Sequence, residues 1–140
     1  MIIFVQDHFV EHYKGGAELT TEALIEGSLF PCNKMISSHV NVELMEKHIN
    51  VFWIFGNFSN LSSECVIYAA KNLRYSIIEY DYKYCEYRSP KKHVMAEGSC
   101  SCHEKIRGKL TSIFFNNAMA MWWMSQKQME VYQNLFPFLL

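Results

Sequence analysis

Apolar residues fall in short solid runs, and between the runs they thin out to a helical spacing. Ile2 to Val5 is apolar on both faces, as is Val51 to Phe55, and runs of that kind suit central strands of a parallel sheet. Tyr75 to Tyr80 and Ala118 to Met124 read as further strands, although a buried helix would show the same solid run at 118–124. Lys34 to Val40 reads as a weaker strand. Helices are expected at Ala17 to Glu26 with Gly27 as C-cap, at Val42 to Lys47, from Ser62-Ser63 through Ala70, at Lys105 to Asn116, and from Ser125 toward Leu135. Ser125 and Gln128 fit the S-x-x-Q capping box. Residues 81 to 103 read as irregular. Strand and helix alternate throughout, which predicts an α/β fold with a doubly wound, mainly parallel, Rossmann-like sheet and helices on both faces. Ligands of such sheets bind beyond the carboxyl ends of the strands. That directs attention to Asp7-His8, Ser38-His39, Gly56-Asn57, Asp81-Tyr82 and Ser125.

The 140 residues are expected to form a single domain, large enough to bury a core without disulfides. Half of them are hydrophobic, which argues against disorder. A formal net charge of −1 gives no basic footprint for nucleic acid. The densest basic stretch, Arg88, Lys91, Lys92 and His93, reads as a solvated loop. No secretory signal and no membrane span are expected, because Asn116 and Asn117 interrupt the longest apolar segment. Five cysteines, mostly near core segments, fit reduced thiols and a cytoplasmic location.

Lys14-Gly15-Gly16 follows the first strand and opens the first helix. Glycine lets a ligand approach the backbone amides, and a helix N-terminus presents unpaired N–H groups and a positive dipole end. With Lys14 the turn suits a phosphate or carboxylate. It is neither a G-x-G-x-x-G fingerprint nor a P-loop, and a tight turn that packs the helix explains the glycines as well.

The order Phe4-Val5-Gln6-Asp7, a short loop, and Gly15-Gly16-Ala17-Glu18 before a helix resembles the amino-terminal domain of GT-B glycosyltransferases, especially glycosyltransferase family 4. Gly15, Gly16 and Glu18 match that family's G-G-x-E turn, and Trp122 to Gln128 resembles the last strand of that domain with its helix-starting serine. The resemblance implies transfer of a sugar from a nucleotide-diphosphate sugar to an acceptor, with no cofactor required. It implies an acceptor-side half, completed by a separate donor-binding domain or by a homodimer. On this reading Lys14, Gly15 and Gly16 meet phosphate, while Glu18, Asn57 and Asp81 meet hydroxyls. Asp81 stands near where relatives place a histidine, so it is the expected catalytic residue, with an Asx turn as its structural alternative. His8 and His12 flank the glycine loop, and His8 joins the phosphate-binding set. A non-catalytic binding or assembly module on the same fold is the alternative.

Cys85, His93, Cys100, Cys102 and His103 share one stretch, and four such ligands close a zinc site. The C-x-C-H spacing lacks the C-x-x-C knuckle, so no metal is expected and inward-packed thiols are preferred, with Cys85, Cys100, Cys102 and His103 as the candidate ligands. Cys102 beside His103 is a poor nucleophile pair. Glu79 and Asp81 share a strand face, but a glycosidase needs a cleft that a domain of this size rarely encloses alone. A receiver-type phosphoacceptor is missing, since the third strand ends Phe55-Gly56-Asn57. Phe52, Trp53, Trp122 and Trp123 are read as core, and apolar surface near Phe136, Phe138 and Leu140 would favour dimerisation.

Overall fold

A computed structural model describes residues 1–139 of the chain. Five strands form one all-parallel sheet: β1 (Ile2–Gln6), β2 (Cys32–Ile36), β3 (Phe52–Phe55), β4 (Arg74–Glu79) and β5 (Ala120–Trp123). Their spatial order is β2-β1-β3-β4-β5. The helices are α1 (Gly16–Glu26), α2 (Val42–Lys47), α3 (Ser63–Asn72), α4 (Pro90–Glu97), α5 (Ile106–Asn116) and α6 (Gln126–Leu135). From β1 the chain runs one way to β2, and from β2 onward it runs the other way, to β3, β4 and β5. Crossovers of one hand therefore place α1 on one face and α2, α3 and α5 on the other.

Strand alternation sorts the side chains accordingly. Ile3, Val5, Trp53, Phe55, Tyr75 and Ile77 point toward Met45 of α2, Cys65, Val66 and Ala69 of α3, and Phe114 and Phe115 of α5. Phe55 is the hub, with ring centroids 5.7 Å from Tyr75 and 5.1 Å from Phe114. On the opposite face Thr21 of α1 donates to Gln6 Oε1 at 2.7 Å. Gly56 makes that possible, because a Cβ there would stand 2.0 Å from the same oxygen.

Caps set the helix boundaries. Asn41, Ser62, Ser89 and Ser125 each accept a first-turn amide through the side chain. Gln128 departs from the simple capping box: its Oε1 accepts from Met124 N, and its Nε2 donates to the carbonyls of Glu79 and Asp81 at 3.1 and 2.7 Å. It thereby ties the end of β4 to the start of α6.

The structure corrects several expectations. Residues 81 to 103 contain α4, capped by Ser89 and ended at Gly98 with φ 85°, and a 3₁₀ turn at Cys102–Glu104. β2 stops at Ile36, where Ser37–His39 forms a 3₁₀ turn. Trp53 is core, whereas Trp122 is 55% exposed. Phe136 is buried against Tyr84 and Tyr132, so only Phe138 of the tail phenylalanines offers apolar surface. Leu140 lies outside the described residues. Among those residues no helix is long and apolar enough to cross a membrane.

Candidate functional site

The strand order reverses between β1 and β3, and Asp7 stands at that point. Its carboxylate accepts from Ser37 Oγ, from Ser59 Oγ and N at 2.5 and 3.0 Å, and from Asn60 N at 3.2 Å. Partial burial works to raise the carboxyl, but those bonds outweigh it and hold it below the usual carboxylate value of 3.8. Asp7 therefore welds the loops after β1, β2 and β3 together.

A pH dependence follows. A depressed folded value contributes stability above pH 3.8 that is lost as pH falls through it. Asp7→Asn should cost about 1 kcal/mol at pH 7, a figure reduced for partial exposure and screening, and the deficit should vanish in acid. Denaturant titrations of both proteins from pH 7 to 3 check this; a deficit that stays constant with pH contradicts it.

Beyond β3 and β4 the chain brings together two of the expected site residues. Arg88 donates through one terminal nitrogen to Asn57 Oδ1 at 3.2 Å and to Asp81 at 3.0–3.1 Å. Arg88 is the one non-glycine residue with positive φ, 59°, among the described residues. Asp81 is thus the partner that orients a guanidinium. Behind it lies a buried network: Lys83 is paired with Glu79, and Glu79 also accepts from Tyr132 OH and from Lys83 N at 3.1 Å. Burial pushes the Glu79 carboxyl up, and the Lys83 ammonium and these bonds oppose it.

Lys83, Arg88 and Arg107 line a cavity of about 240 Å³ with Phe58, Ser59, Leu61, Ser63, Val66, Leu110 and Thr111. Among the described residues no acidic side chain lines it. Lys83 and Arg88 carry partners, while Arg107 is exposed and makes no ion pair among the described residues. Ser63 begins α3, so the amino end of that ten-residue helix adds its dipole. A cavity of this make-up suits a phosphate or another oxyanion.

Sequence reasoning missed this pocket. Arg88 was expected in a solvated loop; it is half-buried, and His93 of the same stretch is buried. Lys83, Ser59, Arg107 and Thr111 carried no motif.

The glycine turn is a separate feature, and none of its residues lines the cavity. Gly15 is the N-cap of α1, and Glu18 Oε1 accepts from Gly15 N at 3.1 Å. Glu18 is buried, so the helix is capped by its own carboxylate. A Cβ on Gly15 would lie 2.5 Å from that carboxylate and 2.7 Å from the Tyr13 ring. Gly16 faces open space, and Lys14 and His8 are exposed, the latter beside Tyr13. This turn has a packing reason for Gly15 and leaves Lys14 and Gly16 accessible.

The cysteine stretch folds into a cluster. Cys85, His93, Cys100 and Cys102 present ligand atoms that all lie within 4.8 Å of one another. His93, not His103, supplies the imidazole. His103 instead stands 3.8 Å from Glu104 and edge-on to Phe136. Among the described residues His103 is not part of the cluster.

Comparison of the chain with protein-family models, with curated proteins and with solved structures finds no match.

Proposed function

We propose that the chain is a sugar-transfer domain of glycosyltransferase type, acting as the acceptor-side half, with its basic cavity taking the phosphate of a nucleotide-diphosphate sugar or of a phosphorylated acceptor. The observation that carries this reading is the cavity itself: three cations and two serines at the carboxyl edge, with Arg88 oriented by Asn57 and Asp81. Doubly wound sheets use that edge for ligands, and the G-G-x-E turn at Gly15, Gly16 and Glu18 supports the same family resemblance. Mechanistically, Arg88 and Arg107 stabilise charge on a departing or positioned phosphate without moving protons. Lys14 and Gly16 remain accessible at the carboxyl edge of the sheet.

A second reading has its own support. Asp7, Glu79 and Asp81 are all committed to protein partners, so none is a free base. That favours a binding module on the same fold.

The test is a thermal-shift and calorimetric panel of nucleotide-diphosphate sugars, free sugars and inorganic pyrophosphate. A phosphate compound at a hundred times its Kd stabilises by about 2.7 kcal/mol. Arg107→Ala should weaken binding at least about tenfold, the loss of one charge-assisted bond. Donor breakdown in the presence of acceptor supports transfer; binding without turnover is what an acceptor-side half and a binding module would both show. Equal binding to Arg107→Ala, or no shift with any phosphate compound, overturns both.

A further inference from the structure

We infer that Cys85, His93, Cys100 and Cys102 form a closed structural zinc site. For tetrahedral zinc with Zn–S of ~2.3 Å and Zn–N of ~2.0–2.1 Å, the S···S edge is about 3.8 Å and the S···N edge about 3.6 Å. The structure gives 3.8 Å between Cys85 and Cys100 Sγ, and 3.6 and 3.4 Å from His93 Nδ1 to Cys85 and Cys102 Sγ. Three of the six edges of such a tetrahedron are thus matched, and the other three are no longer than 4.8 Å. None of these sulfurs is at the ~2.05 Å of a disulfide, and all five cysteines are free.

The surroundings agree with a metal. His93 turns Nδ1 toward the thiols and Nε2 toward Glu97 at 2.5 Å, the carboxylate–histidine arrangement that fixes a ligating imidazole. The Tyr87 ring stacks on His93 at 4.4 Å and holds its plane. Glu86 N donates to Cys102 Sγ at 3.4 Å, as an N–H does to a metal-bound thiolate. Three cysteines and one histidine select zinc among available divalent ions, and four protein ligands leave no open position for catalysis.

The site has a structural task. Cys85 lies three residues before Arg88, and Cys102 lies five before Arg107. The backbone of Cys102 packs onto α5, where a Cβ on Gly108 would stand 2.2 Å from its carbonyl. A metal here fixes both arginine-bearing segments of the cavity to one point, independently of what the cavity binds.

The experiment is metal analysis of the whole protein, purified without chelator from zinc-supplemented cells, followed by cobalt substitution. The expected result is about one zinc per chain, and a cobalt protein with thiolate charge-transfer absorption and the intense visible bands of tetrahedral cobalt. Cys85→Ser and Cys102→Ser should fall well below one zinc per chain, while Cys32→Ser and Cys65→Ser keep it. The wild-type measurements stand even where a ligand variant fails to fold. Background zinc in the wild type, a weak octahedral cobalt spectrum, or a Cys85–Cys100 disulfide found by mass in the purified protein overturns the site.

Discussion

Lys83→Met should cost about 3–5 kcal/mol, because it strands the Glu79 carboxylate in a place with no solvent. Glu79 is 0% exposed and Lys83 3%. In a protein whose whole stability is of the order of 5–15 kcal/mol, that lowers Tm by roughly 10 °C or more. The stranded group also sets a pH signature. Burial already raises Glu79 above its ordinary 4.5, and loss of the ammonium raises it further. A carboxyl with a raised folded value binds its proton more tightly in the native state, so stability falls as pH rises through that value. The deficit of Lys83→Met should therefore be small near pH 4.5 and full at neutral pH. Adding Glu79→Gln should recover at least half of it, since the amide oxygen still accepts from Tyr132 OH and Lys83 N but carries no charge. Denaturant unfolding of the single and double variants reads this directly. A loss below about 1 kcal/mol, or a double variant no better than the single, would show that the pair is solvated.

Phe114→Ala is the second large effect, about 3–5 kcal/mol. Phe114 is wholly buried and lies 5.1 Å from Phe55, 5.1 Å from Phe58 and 4.8 Å from Tyr75 by ring centroids. Tyr75 OH also donates to its carbonyl at 2.6 Å, so this one residue seats α5 on the sheet by ring and by backbone. Truncation leaves a cavity walled by three rigid rings that have little room to collapse. Phe114→Leu should cost distinctly less. Thermal and denaturant unfolding report both. Equal losses for alanine and leucine would mean that the unfilled cavity is not what costs stability, and a loss below about 1 kcal/mol would place α5 elsewhere.

Most of the fold was legible because local signals and period agreed. VFWIF and IIFV are apolar on both faces, which suits strands of a covered parallel sheet. The α2 bounds were read as they stand, and Ser62 and Ser125 marked helix starts through their caps. The α4 helix escaped notice although Ser89-Pro90 and Gly98 are sound start and stop signals. Its interior, KKHVMAE, is too polar to show a buried stripe, because α4 is held by its cap and by His93 rather than by an apolar face. The cysteine cluster was hidden for a related reason. Its ligands sit in a turn, within a helix and beyond it, so the spacing follows the length of α4 and not a knuckle. The cavity was invisible because Lys83, Arg88 and Arg107 come from separate segments that only the sheet edge brings together. The glycine turn shows the opposite case: a conspicuous motif whose carboxylate, Glu18, satisfies its own helix.

We propose that an oxyanion enters the cavity between α3 and α5. The most direct measurement is the two-dimensional amide NMR spectrum of the protein titrated with inorganic pyrophosphate at low salt. Saturable shifts are expected at Ser59, Ser63, Arg88 and the 107–111 segment, and they are expected to be lost in Arg107→Ala. Saturation confined to the amides of Gly15 and Gly16, or no saturable shift anywhere, would contradict it.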